Sequence, residues 1–479
     1  MKVVENSHPL GKLIILIGLL VGMPAAMILF FPEEARYLPA FLLPSFGSFV
    51  LGLVVCWRCP TKEANPLEWH SALERGSIPV VFAWLYAIFM GALPFLLGGQ
   101  LGVLHSLFEA VSGWTTAGFT VADVKALPRI FLFHRSLMQF CGGLGFVILI
   151  AMLINGKQTM SHYLAEGHPD RIRPSIKGTA QAIFTWYMSV LGIGSVLFKF
   201  FGMDWFEALN HSMTALSTAG FSTAAGGIAA YDSIGIEAVA MVLMLVGSVN
   251  FGLLMILFRG KVRQVLLSSE IRLMGALLGG ALVVVLLSGV GVRHGLFGLV
   301  SALSTTGFAT ADYLGWPPAA QGVMLVLMVI GGGAGSTAGG LKLLRVYIML
   351  KATKENIRRR VAPARQVRAA YVQQARGKKL MDDKLALDVF AFGACYGALL
   401  LVGTMMLSVA TGATLSRSFF EFASAFGTAG FSGGLTSASS NVGTLLIQMV
   451  AMLLGRLEVL IVFIALYALG NLLKKSLQK

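Results

Sequence analysis

Four stretches of this sequence repeat one small set of oxygen-bearing residues at one spacing: TTAGFT at 115–120, STAGFST at 217–223, STTGFAT at 304–310 and GTAGFS at 427–432. Counted from the glycine (Gly118, Gly220, Gly307, Gly430), the residue two before it is threonine every time: Thr116, Thr218, Thr305 and Thr428. The residue after it is always phenylalanine: Phe119, Phe221, Phe308 and Phe431. Thr115, Ala117, Ala219, Thr306 and Ala429 complete the segments, and a hydroxyl stands six residues before each glycine, at Ser112, Thr214, Ser301 and Ser424. No acid, base or thiol lies inside these segments, so they cannot do proton-transfer or nucleophilic work. What they can offer is oxygen, from hydroxyls and from backbone carbonyls freed by a glycine that tolerates unusual conformations. Oxygen-only ligation selects hard cations over transition metals. One copy alone would be explained equally by close helix packing through small residues; four copies on one plan favour a ring around an axis.

The elements that must position such a ring are apolar. The chain of 479 residues is 56% hydrophobic and only 12% charged, with a mean hydropathy of +0.78, which is far from a soluble globular composition. Stretches long enough to cross a roughly 30 Å hydrocarbon core as helix fall near 11–31, 37–57, 77–98, 129–154, 180–201, 234–258, 271–291, 318–352, 386–411 and 440–472. The first has no convincing cleavage site after it and is read as a retained span. Four further apolar stretches, 101–116, 204–218, 295–306 and 416–428, are too short to span, and each leads into one of the repeated segments. They are expected to be re-entrant. A second register supports this: a glycine follows 25 residues after Gly118, Gly307 and Gly430 (Gly143, Gly332, Gly455), and 27 after Gly220 (Gly247). The sequence therefore predicts an all-α polytopic membrane protein with four span, re-entrant helix, span repeats around one pore. The expected divisions are a two-span leader over 1–75 and repeats over 76–175, 176–268, 269–384 and 385–479.

An even number of spans puts both termini on one side. Lys and Arg gather on that side, including Arg58, Arg171, Arg259, Lys261, Arg263 and a dense run from Lys351 to Lys384, whereas the motif side carries few. By the positive-inside rule the termini are cytoplasmic and the motifs open outward. The net charge of +15 is then mostly topology and needs no nucleic acid. The block from Lys351 to Lys379 is denser than topology requires. It reads either as a solvated loop touching anionic headgroups or as a docking surface for a cytoplasmic partner.

Carbonyl rings at membrane depth can replace the hydration shell of a cation, and helix C-termini pointing at the ring add negative partial charge there. Asp123 and Asp312 each stand five residues after their glycine, in repeats one and three. They either concentrate cations at an outer mouth or are ordinary loop carboxylates. Beyond the third motif, IGGGAGSTAGGLKLLR interrupts a span with Gly331, Gly332, Gly333, Ala334, Gly335, Ser336, Thr337, Ala338, Gly339 and Gly340. So many glycines oppose a continuous helix, and a nucleotide-binding loop is excluded because no strand precedes it and the Walker spacing is missing. In repeat four, Arg456 lies within the otherwise apolar MLLGRLEVL. A charge at that depth is functional by default, and it is expected to face the pore below the ring, where the glycine-rich loop can relieve or close the barrier.

Together, the four T-x-G-F segments, the glycine-rich interruption in the third repeat and the GRLE arginine resemble the membrane subunit of the Trk/Ktr potassium-uptake family, and the two-span leader resembles its Trk branch. The resemblance covers essentially the whole chain. It implies potassium as the transported ion, bound at Gly118, Gly220, Gly307 and Gly430, a gate over Gly331 to Gly340 with Arg456 beneath the filter, and no bound cofactor. It further implies a homodimer in the cytoplasmic (inner) membrane, regulated by a cytoplasmic nucleotide-binding ring. Each repeat offers a single glycine where potassium channels have TVGYG, so preference for potassium over sodium comes from the resemblance alone.

Other chemistries find little footing. Cys56, Cys59, Cys141 and Cys395 form neither a disulfide framework nor a zinc-ligand set. The metalloprotease motif HExxH is missing, the match to the hydrolase motif GxSxG (GFSGG, 430–434) is part of the fourth repeated segment, and His134 and His211 stand alone, as structural histidines do, so no enzyme is expected. A sodium- or proton-coupled symporter using the same ring is the alternative, weakened because no buried carboxylate sits in mid-span as a clear coupling group.

Overall fold

In the computed structural model, residues 9–58, 72–145, 176–361, 370–375 and 377–477 are described. Helix α1 (Pro9–Gly22) continues as a 3₁₀ turn over Met23–Leu29, and after a second 3₁₀ turn, α2 (Leu38–Arg58) runs back along it. Small residues let this pair approach closely: Gly11, Gly18 and Gly22 of α1 face Cys56, Ser48 and Ser45 of α2, and Ser48 Oγ donates to the Ile14 carbonyl at 2.8 Å.

Four units of like plan follow. The first comprises α3 (Ala72–Leu97), the short α4 (Val103–Trp114) and α5 (Arg129–Leu144). The second comprises α6 (Ile176–Phe200), the short α7 (Trp205–Leu216), α8 (Ile234–Ser248), α9 (Phe251–Phe258) and α10 (Val262–Leu266). The third has α11 (Ser269–Leu287), the short α12 (Val292–Leu303), α13 (Pro318–Ile330) and α14 (Leu343–Val361). A hairpin of β1 (Tyr371–Gln374) and β2 (Gly377–Leu380), antiparallel with Tyr371 opposite Leu380, leads to the fourth: α15 (Asp383–Thr411), the short α16 (Leu415–Phe426), α17 (Val442–Arg456) and α18 (Val459–Leu477).

The molecule is apolar outside and polar within. Leu43, Phe46, Leu287, Met405 and Val409 are exposed, while Glu109, Arg135, Gln139, Glu421 and Gln448 are buried. That inversion suits a hydrocarbon surround. Among the described residues six helices are long and apolar enough to cross a membrane, or eight if each of two bent pairs counts as one span.

Among the described residues four of the ten expected spans are therefore not continuous helices. The stretch 318–352 is divided by non-helical backbone over residues 331–342, where the glycine run was expected to interrupt it. The stretches 234–258 and 440–472, expected as single spans, bend by 111° and 98° at short breaks. The first break has a local cause, since Asn250 caps α9 by accepting from the Gly252 amide at 2.7 Å. In the first unit α5 ends at Leu144 with Gly145 at φ +85°, and the remainder of the expected 129–154 span lies outside the described residues. The expected division after residue 75 falls just inside α3, while those after 175, 268 and 384 fall at or near helix starts.

Candidate functional site

Each short helix ends directly in a repeated segment, and the four segments have one backbone. The threonines two before the glycine take left-handed conformations, with φ of 59° at Thr116, 51° at Thr218, 56° at Thr305 and 50° at Thr428. The next residue's amide then bonds back to the hydroxyl-bearing residue six before the glycine: Ala117 to Ser112 at 3.0 Å, Ala219 to Thr214 at 2.9 Å, Thr306 to Ser301 at 2.9 Å and Ala429 to Ser424 at 2.8 Å. This closes the helix C-terminus and aims its negative dipole end at the segment. A β-branched residue in that region is strained by about 1–3 kcal/mol, and strain of this kind clusters at functional sites.

The four segments meet in a ring. A Cβ added at Gly118 would lie closer than 3.0 Å to the Ala219 carbonyl oxygen; one at Gly220, to that of Thr306; one at Gly307, to that of Ala429; and one at Gly430, to that of Ala117. The order one, two, three, four, one is closed by these contacts. With φ between +77° and +83°, every glycine is required both by conformation and by the neighbouring backbone. Thr115, Thr116, Ala117, Thr218, Ala219, Thr305, Thr306, Thr428 and Ala429 are fully buried, and the side-chain oxygens of Thr116 and Thr428 have no hydrogen-bond partner. Buried hydroxyls without partners are rare enough to need an explanation.

Braces hold the ring from behind, and of these sequence reasoning singled out His211 alone, as a structural histidine. Nine residues before the glycines stand Glu109, His211, Gly298 and Glu421; two after them stand Thr120, Ser222, Ala309 and Ser432. Thr120 Oγ1 donates to Glu109 at 2.6 Å, Ser222 Oγ lies 2.8 Å from His211 Nε2, and Ser432 Oγ donates to Glu421 at 2.9 Å. Where the first column has glycine the second has alanine, and Trp316 packs against Gly298 instead. The signal was present in the repeat alignment as a pairing of two columns. Glu109 also accepts from the Val121 and Ala122 amides and pairs with Arg135 of α5 at 3.0 Å, both side chains being buried. Arg135 in turn donates to Thr120 and stacks 4.0 Å from the Phe221 ring, joining units one and two. Gln139 clamps the second segment, donating to the Ala219 carbonyl at 2.9 Å and accepting from the Phe221 amide at 3.0 Å. His134, on the same helix, holds the Gly91 carbonyl at 2.9 Å through its ring nitrogen.

Of the glycines expected to align on the following helices, two pack against the ends of the short helices, while Gly332 lies in non-helical backbone against Ala338 and Ser248. Gly247 and Gly455 face the Leu216 and Phe426 carbonyls, with no room for a side chain. In unit one that place belongs to Gly142, facing the Trp114 carbonyl, and the expected Gly143 lies one position on, against Ser217. Connection length between the two helices, not helix register alone, sets which glycine is used.

The loop over Gly331, Gly332, Gly333, Ala334, Gly335, Ser336, Thr337, Ala338, Gly339 and Gly340 lies against the threonines of the ring. Thr337 Oγ1 is 3.0 Å from Thr218 Oγ1, the Gly339 amide donates to Thr305 Oγ1 at 2.8 Å, and a Cβ on Gly339 would collide with Thr428 Oγ1. Thr337 also donates to the Gly247 carbonyl at 2.9 Å. Arg456, at the end of α17, donates to the Thr337 carbonyl at 2.6 Å, to the Gly143 carbonyl at 3.0 Å and to the Gly142 carbonyl. It thus ties the loop to the end of α5. Glu458, within the break between α17 and α18, pairs with Arg345 at 2.6 Å.

Asp123 and Asp312 are exposed in loops beyond the ring, each capping its own turn by accepting from the amide two residues on, Lys125 and Leu314, at 3.0 Å. The ring order sets their units opposite one another. Nearby, Tyr313 donates to the Ser432 carbonyl at 2.8 Å and accepts from its amide, and burial pushes its hydroxyl up to about 12, so it remains protonated at neutral pH. Of the basic block, Lys351 to Val361 is helical and Tyr371 onward forms the hairpin, while 362–369 and 376 lie outside the described residues.

Comparison with known proteins agrees with this architecture. The chain is 30% identical over 423 residues to the Trk system potassium uptake protein TrkH of Halomonas elongata, covering 81% of this chain and 84% of that one. It is 29% identical to the TrkH of Escherichia coli K12, with 94% and 95% covered, and 29% identical to an uncharacterised cation transporter of Methanocaldococcus jannaschii, with 96% and 95% covered. The crystal structure of the potassium transporter TrkH from Vibrio parahaemolyticus superposes with a TM-score of 0.82 at 25% identity, covering 97% of this chain and 98% of the other. A cation transport protein family, TrkH, matches residues 49–278 and 265–471, and this chain, a helical membrane protein, belongs to it.

Proposed function

We propose that this chain conducts potassium into the cell through the ring formed by Thr115, Thr116, Ala117, Gly118, Thr218, Ala219, Gly220, Thr305, Thr306, Gly307, Thr428, Ala429 and Gly430. One observation carries this reading: the four strained segments share one conformation, and their glycine-to-carbonyl contacts close a ring in chain order. Oxygen is the only ligand type it offers, which fits a hard monovalent cation, and relatives matched over 81% and 94% of this chain are named as potassium uptake proteins. The backbone does the ligating, and the buried braces Glu109, Arg135, Gln139 and Glu421 keep it from collapsing onto the ion or away from it.

The loop from Gly331 to Gly340 is the gate in this proposal, and Arg456 its latch and barrier. The loop's contacts with Thr218, Thr305 and Thr428 support a closed position beneath the ring. A fixed positive charge there opposes cation passage until loop and arginine move apart. Asp123 and Asp312 flank the outer mouth. The five-part division of the chain, the cytoplasmic termini, a homodimer and a cytoplasmic nucleotide-binding regulatory subunit belong to the same proposal, supported by the charge distribution and by the Trk-system names of the relatives.

The test is cation flux into proteoliposomes containing the purified chain, under potassium, rubidium or sodium gradients, with Gly307→Ser alongside. Potassium and rubidium should pass, sodium should lag, and the variant should lose that preference. Flux that requires sodium or protons on the same side would replace conduction with symport through the same ring. A variant with unaltered selectivity would remove the ring from the reading.

A further inference from the structure

On the basic side of the protein a cleft of about 670 Å³ opens between α10, the start of α11, α14 and the hairpin. Lys261, Arg263, Arg272, Lys351 and Lys378 line it, and among the described residues no carboxylate does. Elsewhere on this side cations find acids: Arg358 pairs with Glu355 and Arg359 with Asp383, each at 3.2 Å. Five cations converging from separate elements repel one another unless an anion lies among them. The surroundings say which anion. Phe258, Val262, Leu266 and Leu267 are exposed on the same turns that carry Lys261 and Arg263, beside the first turn of the membrane-length helix α11. Basic residues interleaved with exposed apolar ones at a span's end match a headgroup above acyl chains.

We propose that this cleft binds the phosphate of an anionic phospholipid headgroup. The site has a built-in route to the glycine-rich loop. Ser269, which lines the cleft, accepts from the Gln373 amide of the hairpin at 3.1 Å, and the next residue, Glu270, accepts from the Ala334 amide of the loop at 2.9 Å. Gln264 adds a second tie to the hairpin through the Ala375 carbonyl at 3.2 Å. A headgroup drawing the hairpin and α11 together therefore shifts the loop, and this second step rests on the loop being the gate.

The experiment uses the full-length chain, reconstituted in phosphatidylcholine with or without phosphatidylglycerol, with lipid retained after re-extraction counted by native mass spectrometry. The triple variant Arg263→Gln, Arg272→Gln, Lys378→Gln should retain about tenfold to a hundredfold less phosphatidylglycerol than wild type, as the contribution of each basic residue near an anionic surface implies. Arg358→Gln, Arg359→Gln, Arg360→Gln, with the same charge change outside the cleft, should retain the wild-type amount. Equal retention in both triples, or equal loss, overturns the site. Pyrophosphate that raises the wild-type melting temperature while no phosphatidylglycerol is retained assigns the phosphate to solution and overturns the headgroup. Flux measured on the same vesicles separates the second step: specific retention with lipid-independent flux overturns the coupling to the loop and leaves the site standing. Retention is read without flux, so failure of the gate reading does not touch it.

Discussion

Arg456→Gln is the sharpest perturbation of the proposed gate. In the structure the guanidinium bridges the Thr337 carbonyl of the loop, at 2.6 Å, and the Gly142 and Gly143 carbonyls at the end of α5. Only the first of these bonds holds the loop; the others hold the arginine. A charge-assisted hydrogen bond of this kind contributes about 1.5–3 kcal/mol. Its loss shifts the closed-to-open equilibrium of the loop by about tenfold to a hundredfold, at roughly 1.4 kcal/mol per factor of ten. Removing the fixed charge beneath the ring acts in the same direction. Potassium flux per protein in proteoliposomes should rise by that factor, up to the point where the loop is mostly open. Arg456→Lys should fall between, because an ammonium can serve one carbonyl but lacks the planar fork that spans several. Unchanged or reduced flux from monodisperse Arg456→Gln protein would refute the latch.

Three further outcomes are expected. Gly220→Ala should abolish selective flux more completely than Gly430→Ala, since the added carbon at 220 meets the neighbouring carbonyl more tightly than the one at 430; parallel rubidium and sodium uptake reads this. Arg135→Met and Glu109→Gln should each lower stability by roughly 3–5 kcal/mol, because each leaves the other's charge buried without its partner, whereas the double variant should cost less than the sum of the two; thermal unfolding in detergent compares them. The double variant Asp123→Asn, Asp312→Asn should slow uptake at low salt and leave it unaltered at high salt, where screening is complete; equal kinetics at both would make these carboxylates ordinary caps of their turns.

The repeated segments were legible because their conformation demands particular residues. Four glycines at φ near +80° against a neighbouring backbone leave no substitute, so the requirement is written in residue types. The glycine run before Leu341 was legible for the same reason. The breaks near Asn250 and Glu458 were not, because a single capping side chain or one left-handed residue ends a helix without changing an apolar composition. Glu109 and Glu421 went unnoticed because each is one acid in a short apolar stretch, and its partner lies eleven residues on, beyond helical or strand periodicity. Gly143 was displaced by Gly142 because spacing counts residues, while packing also depends on the path of the connection.

Carrying the ring on one chain has a consequence for how it can vary. The braces already differ by quadrant: acid and threonine in the first, histidine and serine in the second, tryptophan against glycine in the third, acid and serine in the fourth. In an assembly of four identical subunits any mutation is imposed four times at once, so intermediate states are inaccessible. Here selection can retune one quarter of the ring while three quarters hold their shape, and under the proposed function ion preference can drift in small, separately survivable steps.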